Sequence, residues 1–250
     1  MLVQLKRASF AALSIFLIHC TMTTAIAQPD GFNYDESKVP SYALPDPLQL
    51  ADGTSVDAAT WERSRREEIM QLFKQHVYGV QPPAPKKMTW KVFEQSATAL
   101  GGKATRKQVK LLITGDESGP TLDLLMYIPN QCTAPCRMFL GLNFRGNHTI
   151  QHDPAIALCA GCDLPPDSSD DNRGSQQARG SQAGRWPVEM IIDRNFGVAT
   201  IFCGDIDPDS HDEFQNGVHA LYPELQNRGD NFATISAWAW GLSRAMDYFE

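Results

Sequence analysis

Three groups of side chains in this sequence are of types that carry chemistry. The first is the run Asn143-Phe144-Arg145-Gly146-Asn147-His148-Thr149, which directly follows a short apolar stretch. The second is an acidic segment with two histidines, made up of Asp205, Asp207, Asp209, His211, Asp212, Glu213 and His219. The third is Gly241-Leu242-Ser243-Arg244-Ala245, whose spacing matches the turn around a nucleophilic serine.

The first group allows two interpretations. A loop at the carboxyl end of a buried strand is where open α/β sheets bind ligands, and a backbone N–H from such a loop can help to hold an oxyanion. The alternative is a tight turn, in which Gly146 supplies backbone freedom and the Asn147 and His148 side chains satisfy local hydrogen bonds. The residues alone favour the turn.

The second group places carboxylates at alternate positions, as a calcium loop does. The glycine in the middle and the closing glutamate of that loop are missing. A catalytic zinc site is disfavoured because no H-E-x-x-H helix is present. The segment is therefore predicted to be a hydrated acidic loop held by its own turn hydrogen bonds.

The third group would make Ser243 a nucleophile, but two physical arguments oppose this. A nucleophile turn needs a buried strand before the serine, whereas Trp238 to Trp240 continue a helical pattern. The acid and histidine must also follow the serine along the chain, and only six residues follow Arg244. Ser243 is therefore predicted to be an ordinary helical serine.

These groups must be positioned by regular elements. Alternating or β-branched patterns predict antiparallel strands at 88–94, 104–114 and 122–128. Continuous apolar runs predict strands covered on both faces at 137–144 and 198–203. Amphipathic or capped patterns predict helices at 58–78, 187–194 and 231–249. The apolar face of the last helix is predicted to carry Ile235, Trp238, Leu242 and Met246.

Together these elements predict an α/β fold in which antiparallel edge strands lead into a parallel, doubly covered sheet. The unit formed by the strand at 137–144, the helix at 187–194 and the strand at 198–203 implies a parallel pair. The two apolar strands should therefore lie side by side, with the terminal helix packed against them.

The sequence is predicted to divide into three regions. Residues 1–27 combine Lys6 and Arg7, an apolar run and an Ala25-Ile26-Ala27 cleavage site, which predicts a signal peptide and a secreted or periplasmic protein with no membrane span after cleavage. Prolines predict an extended arm over 28–57, leaving 58–250 as the main domain. Without residues 1–27 the chain has 20 basic and 29 acidic side chains, a balance that excludes nucleic acid as a partner.

Five cysteines remain after cleavage of the signal peptide, and an oxidising compartment favours disulfides among them. Bridges Cys132–Cys136 and Cys159–Cys162 are plausible, as are cross-pairings between the two loops. A four-thiolate zinc site is the rival interpretation. Cys203 follows an apolar run and is predicted to be a buried thiol.

Four segments resemble the glucuronoyl esterases, the fifteenth family of carbohydrate esterases. They are Leu142 to Thr149 without Arg145, Arg185-Trp186-Pro187-Val188-Glu189, the strand Gly197-Val198-Ala199-Thr200 leading to Gly204-Asp205-Ile206 and Pro208-Asp209, and Ile235 to Tyr248. The resemblance implies a secreted serine esterase of α/β-hydrolase fold, without metal or other cofactor. Its substrate would be the 4-O-methylglucuronate ester that joins glucuronoxylan to lignin. The alternatives are an acetylxylan esterase or general carboxylesterase, and a noncatalytic carbohydrate-binding module.

The resemblance also implies that the chain is the N-terminal half of such an enzyme, truncated before the nucleophile strand. In the family the serine lies in a Gly-x-Ser-Arg segment after the tryptophan-bearing helix, so no catalytic residue can be assigned and the serine, acid and histidine are expected beyond residue 250. Residues 28–250 alone are expected to be inactive and poorly soluble, because a sheet without that strand has an open apolar edge. Asn147 and His148 are candidates for shaping the substrate cleft.

Overall fold

The computed structural model describes residues 31, 33–133, 135–159, 174–210 and 212–250. The predicted signal peptide, His211 and most of the loop that contains Cys162 lie outside the described residues. The chain divides into two compact units, Met1–Asp46 and Pro47–Glu250. In the first unit a 3₁₀ turn, Glu36–Lys38, begins where the Asp35 carboxylate accepts the Ser37 N–H at 3.1 Å. No described helix is long and apolar enough to cross a membrane.

The second unit is built on a sheet of five strands. They are β1 Thr89–Thr98, β2 Ala104–Leu112, β3 Thr121–Pro129, β4 Met138–Asn143 and β5 Gly197–Phe202. Their order across the sheet is β1-β2-β3-β5-β4. Strands β1 to β3 form an antiparallel meander, β3 pairs antiparallel with β5, and β5 pairs parallel with β4. The α/β class and the side-by-side placement of the two apolar runs are confirmed.

Helices cover both faces of the sheet. Along β3 the side chains alternate, so that Leu124 belongs to one buried cluster and Leu125 to the other. The first cluster contains Trp240 of the terminal helix, and the second contains Val188 and Ile192 of the helix between β4 and β5. Every residue of β5 is buried, as expected of a strand covered on both sides.

The prediction for β4 was only partly correct. The run was expected to be covered on both faces, but within the described residues β4 lies at the edge of the sheet and the Phe139 side chain is 58% exposed. A continuous apolar run does not distinguish an edge strand from a central one, because that difference depends on pairing with distant segments. Strand β5 also ends one residue early, and Cys203 begins the next helix.

The helix predicted at 58–78 is present, but its apolar residues are not core residues. It consists of α1 Ala58–Thr60, a π-helical turn Trp61–Arg65, α2 Arg66–Phe73 and a second π-helical turn Lys74–Tyr78. It ends at Gly79, whose φ of 82° and ψ of 173° define a backbone conformation that glycine adopts far more readily than residues with a side chain. Leu72, Phe73 and Val77 are exposed. The π turns shift the face of the helix along its length, which an ideal 3.6-residue period does not allow for.

The remaining helices are α3 Ala99–Gly102, α4 Val188–Asp193, α5 Cys203–Ile206 and α6 Thr234–Phe249. Short 3₁₀ turns occur at Asn147–Thr149, Gln176–Ala178, Gly217–Leu221 and Pro223–Leu225. Helix α6 packs on the sheet as expected, but the predicted apolar face was wrong. Ile235 and Met246 are exposed, and the buried face carries Ser236, Ala237, Trp240, Gly241, Arg244 and Ala245.

Small residues explain why this face of α6 is buried. Ala237, Gly241 and Ala245 recur at four-residue spacing, so the helix can approach its neighbours closely. A Cβ atom added at Gly241 would lie only 2.4 Å from the Ile206 side chain. Trp240 then fills the space beside these small residues and is 1% exposed.

Candidate functional site

The loop after β4 is held to the sheet by a buried amide network. Asn143 is 2% exposed, and its Nδ2 donates to Asn147 Oδ1 at 2.7 Å and to Thr200 Oγ1 of β5 at 3.0 Å. Asn147 Nδ2 donates to the Asp123 carbonyl of β3 at 2.7 Å. Three strands therefore fix the start of this loop, which lies at the carboxyl ends of the parallel pair β4 and β5.

Local geometry turns the loop back on itself. Gly146 has a φ of 90°, which a side chain would disfavour. Thr149 Oγ1 donates to the Gly146 carbonyl at 2.8 Å, and the 3₁₀ turn at Asn147–Thr149 follows. The Arg145 N–H donates to Asn143 Oδ1 at 3.4 Å. The turn interpretation from the sequence therefore holds for Gly146 and Asn147.

The His148 side chain does not make the local hydrogen bonds that the turn interpretation predicted. Its ring is fully buried, and neither ring nitrogen makes a hydrogen bond within the part of the chain that the structure describes. Burial lowers the pKa of His148, and the nearby Arg179 guanidinium lowers it further. The imidazole is thus neutral at neutral pH. Asn147 is also almost fully buried, so both sequence candidates lie behind the surface of the loop, and their role in a substrate cleft stays a prediction.

The acidic segment after β5 was predicted to be hydrated, and this is wrong for its first members. Asp207 is 1% exposed, and its Oδ2 lies 3.5 Å from Nε2 of the fully buried His219. Asp212 does follow the prediction, since its carboxylate accepts the Phe214 and Asn216 N–H groups at 3.0 Å. Asp207 and Asp212 differ because of tertiary packing: α5 directs the first part of the segment into the core, and only the later part reaches the surface. Among the described residues no three His, Cys, Asp or Glu side chains converge as metal ligands would.

Asp205 is the most perturbed carboxyl group of this segment. Burial raises its pKa from 3.8 to about 7, although the Asp123 N–H donates to its Oδ2 at 3.1 Å and opposes the shift. At a pH between these two values, the Asp205 carboxyl group is protonated in the folded state and ionised in the unfolded state. Stability from this group is complete below about pH 4 and is lost as the pH rises through about 7.

We expect Asp205→Asn to remove this pH dependence. Asparagine keeps an acceptor for the Asp123 N–H but carries no charge. Between pH 5 and pH 8.5 the native protein should therefore lose on the order of 3 kcal/mol of unfolding free energy that the variant retains. Urea unfolding at the two pH values measures the difference. Asp116→Asn is the control, because Asp116 is exposed and hydrogen bonds from Ser118 lower its pKa, so it stays ionised across this range. Equal pH dependence of the native protein and the Asp205→Asn variant would contradict the assignment.

An open groove lies beside these loops. Its volume is about 740 Å³, and its walls include Phe144 from the loop after β4 and Trp238 from α6. The two rings meet edge to face with their centroids 5.4 Å apart. Trp238 Nε1 donates to the Asp207 carbonyl at 2.8 Å, which fixes the indole. No pattern in the sequence indicated this groove, because its walls come from distant segments.

Ser243 is not part of this arrangement. It lies inside α6, and its Oγ donates to the Ala239 carbonyl one turn earlier at 3.1 Å. This is the usual bond of a serine within a helix. The prediction of an ordinary helical serine is confirmed.

The cysteines support the disulfide interpretation. Cys132 and Cys136 form a disulfide with a Cα–Cα distance of 5.7 Å, which closes the loop before β4. Cys159 is disulfide-bonded as well. Cys203 is a buried thiol, as predicted.

Comparison with known proteins finds similarity to carbohydrate esterases, although no protein-family model matches the chain. Carbohydrate esterase MZ0003, from an unknown prokaryotic organism, is 43% identical over 249 residues, which cover 95% of this chain and 57% of that protein. The 4-O-methyl-glucuronoyl methylesterase of Cerrena unicolor is 24% identical over 222 residues, covering 86% of this chain and 35% of that enzyme. The chain thus spans a little over half of the first relative and about a third of the second.

A solved structure agrees with the sequence matches. The glucuronoyl esterase from Solibacter usitatus superposes with a TM-score of 0.76 at 36% identity, covering 85% of this chain and 55% of that protein. Fold and sequence thus point to the same group of enzymes.

Proposed function

We propose that the chain belongs to the glucuronoyl esterase family of carbohydrate esterases and forms the N-terminal part of a secreted serine carboxylic ester hydrolase. The proposed substrate is a 4-O-methylglucuronate ester between glucuronoxylan and lignin. In this proposal the serine, its acid and its histidine are supplied by sequence beyond residue 250. The single observation that carries the proposal is the 43% identity to Carbohydrate esterase MZ0003 over 95% of the chain.

The geometry after β4 supports the proposal. The Asn143–Asn147–Thr200 network fixes a loop at the carboxyl end of a parallel strand, which is where α/β-hydrolases place an oxyanion-holding N–H group. Such a donor must be fixed in advance, because it then stabilises the charge without reorganising during the reaction. The role proposed for this half of the enzyme is to hold that loop rigidly.

The edge of the sheet supports the second part of the proposal. Strand β4 ends the described sheet, and Phe139 on it is exposed. An open edge with apolar side chains is a surface on which another strand can pair. A nucleophile strand from sequence beyond residue 250 would pair there and place its serine beside the loop after β4.

The test compares two proteins made from the same gene. One spans residues 28–250, and the other, called the full-length protein, is the complete gene product including any codons after residue 250. We expect only the full-length protein to hydrolyse the benzyl ester of glucuronic acid, and the 28–250 protein to be poorly soluble. Acetylated xylan is the control substrate, because preferential deacetylation by the full-length protein would favour an acetylxylan esterase. Hydrolysis by residues 28–250 alone would place the nucleophile within the present sequence and overturn the proposal.

A further inference from the structure

A chain of hydrogen bonds connects Asp205 to the loop after β4. The Asp123 N–H donates to Asp205 Oδ2 at 3.1 Å. The Asp123 carbonyl, on the other side of the same residue, accepts a bond from Asn147 Nδ2 at 2.7 Å. Asn147 Oδ1 accepts in turn from Asn143 Nδ2 at 2.7 Å. The backbone of Asp123 therefore lies between Asp205 and the amide network, and a shift of Asp123 is passed on to the loop.

The same residues line a small cavity. Its walls include Asp205, Asp123 and Asn147, together with Gln108 and the disulfide-bonded Cys159. The space open to the centre of a water molecule is about 10 Å³, which is room for about one water. Asp205 also has only partial contact with the solvent outside. A carboxylate formed at Asp205 is therefore poorly hydrated.

Two charged groups act on Asp205 from neighbouring strands. Asp123 contributes a carboxylate from β3 and Lys110 an ammonium group from β2, and these two groups form an ion pair at 2.9 Å. Loss of hydration is the largest influence on the pKa of Asp205, and it outweighs the Asp123 N–H and the Lys110 charge, which both lower that pKa. The Asp123 carboxylate raises it further by repulsion. Moving an ionised Asp205 and Asp123 apart relieves both costs.

The other ionisable groups on and around α5 pair elsewhere or are buried. His219, in a 3₁₀ turn packed on α5, lies 3.5 Å from Asp207. On α6, Arg244 contacts Asp247 at 2.7 Å. Cys203, on α5 itself, is a buried thiol, and β5 has no ionisable side chain. Within the part of the chain that the structure describes, the ion pair of β2 and β3 therefore supplies the charges that act on this carboxyl group.

We propose that Asp205 is a positioning residue for ester hydrolysis: its neutral carboxyl group holds the Asp123 peptide in place, and its ionisation loosens the loop after β4. The proton leaves to solvent, and no other covalent bond is made or broken. Asp205 acts through Asp123 and Asn147 rather than by contact with the substrate. The inference rests on the proposed function, because the rigidity of the loop affects turnover only if the loop holds an oxyanion donor.

The first experiment measures kcat on the benzyl ester of glucuronic acid from pH 6 to pH 8.5, at a temperature where every variant of the full-length protein stays folded. The pKa of Asp205 is about 7, so the native kcat should fall about tenfold between pH 7 and pH 8.5. Asp205→Asn keeps the acceptor without the charge and should lack this fall. Asp193→Asn is the matched control, because it also neutralises a carboxylate beside a lysine, Lys103 at 2.8 Å, but on α4. Its kcat should fall as that of the native protein does.

Lys110→Met provides a readout that a purely structural role would not change. Removing the ammonium group removes an attraction that lowers the pKa of Asp205, so the alkaline fall in kcat should move up by about one pH unit. The proposal is overturned by a fall that persists in Asp205→Asn, by a native protein that shows no fall, or by a fall that Lys110→Met does not move.

Hydrogen exchange provides a second readout that does not require catalysis. The Thr149 N–H donates to the Gly146 carbonyl at 3.0 Å and the Gln182 N–H to the Thr149 carbonyl at 2.8 Å, so both report on the loop. Their protection, corrected for the intrinsic pH dependence of exchange, should drop about tenfold from pH 7 to pH 8.5 in the native full-length protein and stay constant in Asp205→Asn. This drop without any ester hydrolysis supports the link between Asp205 and the loop, and only the proposed function then fails. Ester hydrolysis without the drop overturns the positioning role and leaves the proposed function standing.

Discussion

Asn143→Ala in the full-length protein is expected to reduce kcat/KM for a glucuronate ester by about 10²-fold. The substitution removes the donors to Asn147 and Thr200 and the acceptor for the Arg145 N–H, so the loop after β4 loses its attachment to β5. Losing one well-placed oxyanion donor costs an enzyme about 10²- to 10³-fold in rate. Steady-state kinetics at a temperature where the variant is fully folded measure the effect. The loss should fall on kcat.

Asn130→Ala separates this effect from a general loss of stability. Asn130 directly follows β3, at the end of that strand opposite to Asp123, which the network contacts. Its Nδ2 also donates two hydrogen bonds, to the Ala97 and Gly102 carbonyls at 2.8 Å. Asn143→Ala removes buried hydrogen bonds and should lose about 1–3 kcal/mol of unfolding free energy, whereas Asn130→Ala removes exposed ones and should lose about 1 kcal/mol. Only Asn143→Ala should lose activity. Equal activity in the two variants would show that the network has no special part in positioning the loop.

The same kinetics test the cleft role predicted for Asn147. If its side chain contacts the substrate, Asn147→Ala raises KM. If it acts only by fixing the loop through its bond to the Asp123 carbonyl, the loss appears in kcat and KM is retained. The burial of Asn147 favours the second result.

Trp240→Ala is expected to have the largest effect on stability, about 3–5 kcal/mol of unfolding free energy. The Trp240 side chain is 1% exposed, belongs to the cluster that joins α6 to the sheet, and donates from Nε1 to the Pro82 carbonyl at 3.1 Å. Alanine would leave a cavity and an unsatisfied carbonyl. Urea unfolding followed by circular dichroism measures the change, with the denaturant slope checked for constancy.

Two further variants, one at Trp240 and one at Ile235 on the same helix, serve as controls. Trp240→Phe should recover most of the packing and lose about 1–2 kcal/mol, because only the hydrogen bond and part of the ring are removed. Ile235→Ala on the same helix should change stability by less than about 0.5 kcal/mol, since Ile235 is 61% exposed. If Ile235→Ala cost as much as Trp240→Ala, the apolar face first predicted for α6 would be the buried one after all.

A buried ion network shows what the sequence could not predict about the sheet. Arg106 on β2 bridges Glu94 of β1, at 2.7 Å, and Asp153 in the loop that follows the 3₁₀ turn after β4. Tyr127 donates from its hydroxyl to the same Asp153 at 3.0 Å. The sequence alone does not indicate that Glu94, Arg106 and Tyr127 belong to one network. Their pairing depends on strand register and on a distant loop.

The sequence by itself indicated most of the elements and a resemblance to the glucuronoyl esterases. The apolar run of β5 was recognisable because a strand in the interior needs apolar residues on both faces. The run of β4 was recognisable as a strand but not as an edge strand, and the site loop was recognisable because it follows that run. Tertiary structure decided which surfaces those elements bury. The α6 helix packs on Ala237, Gly241 and Ala245, since close approach favours small side chains over large ones. The aromatic groove exists only because α6 brings Trp238 to Phe144, a contact between distant positions on which local periodicity carries no information.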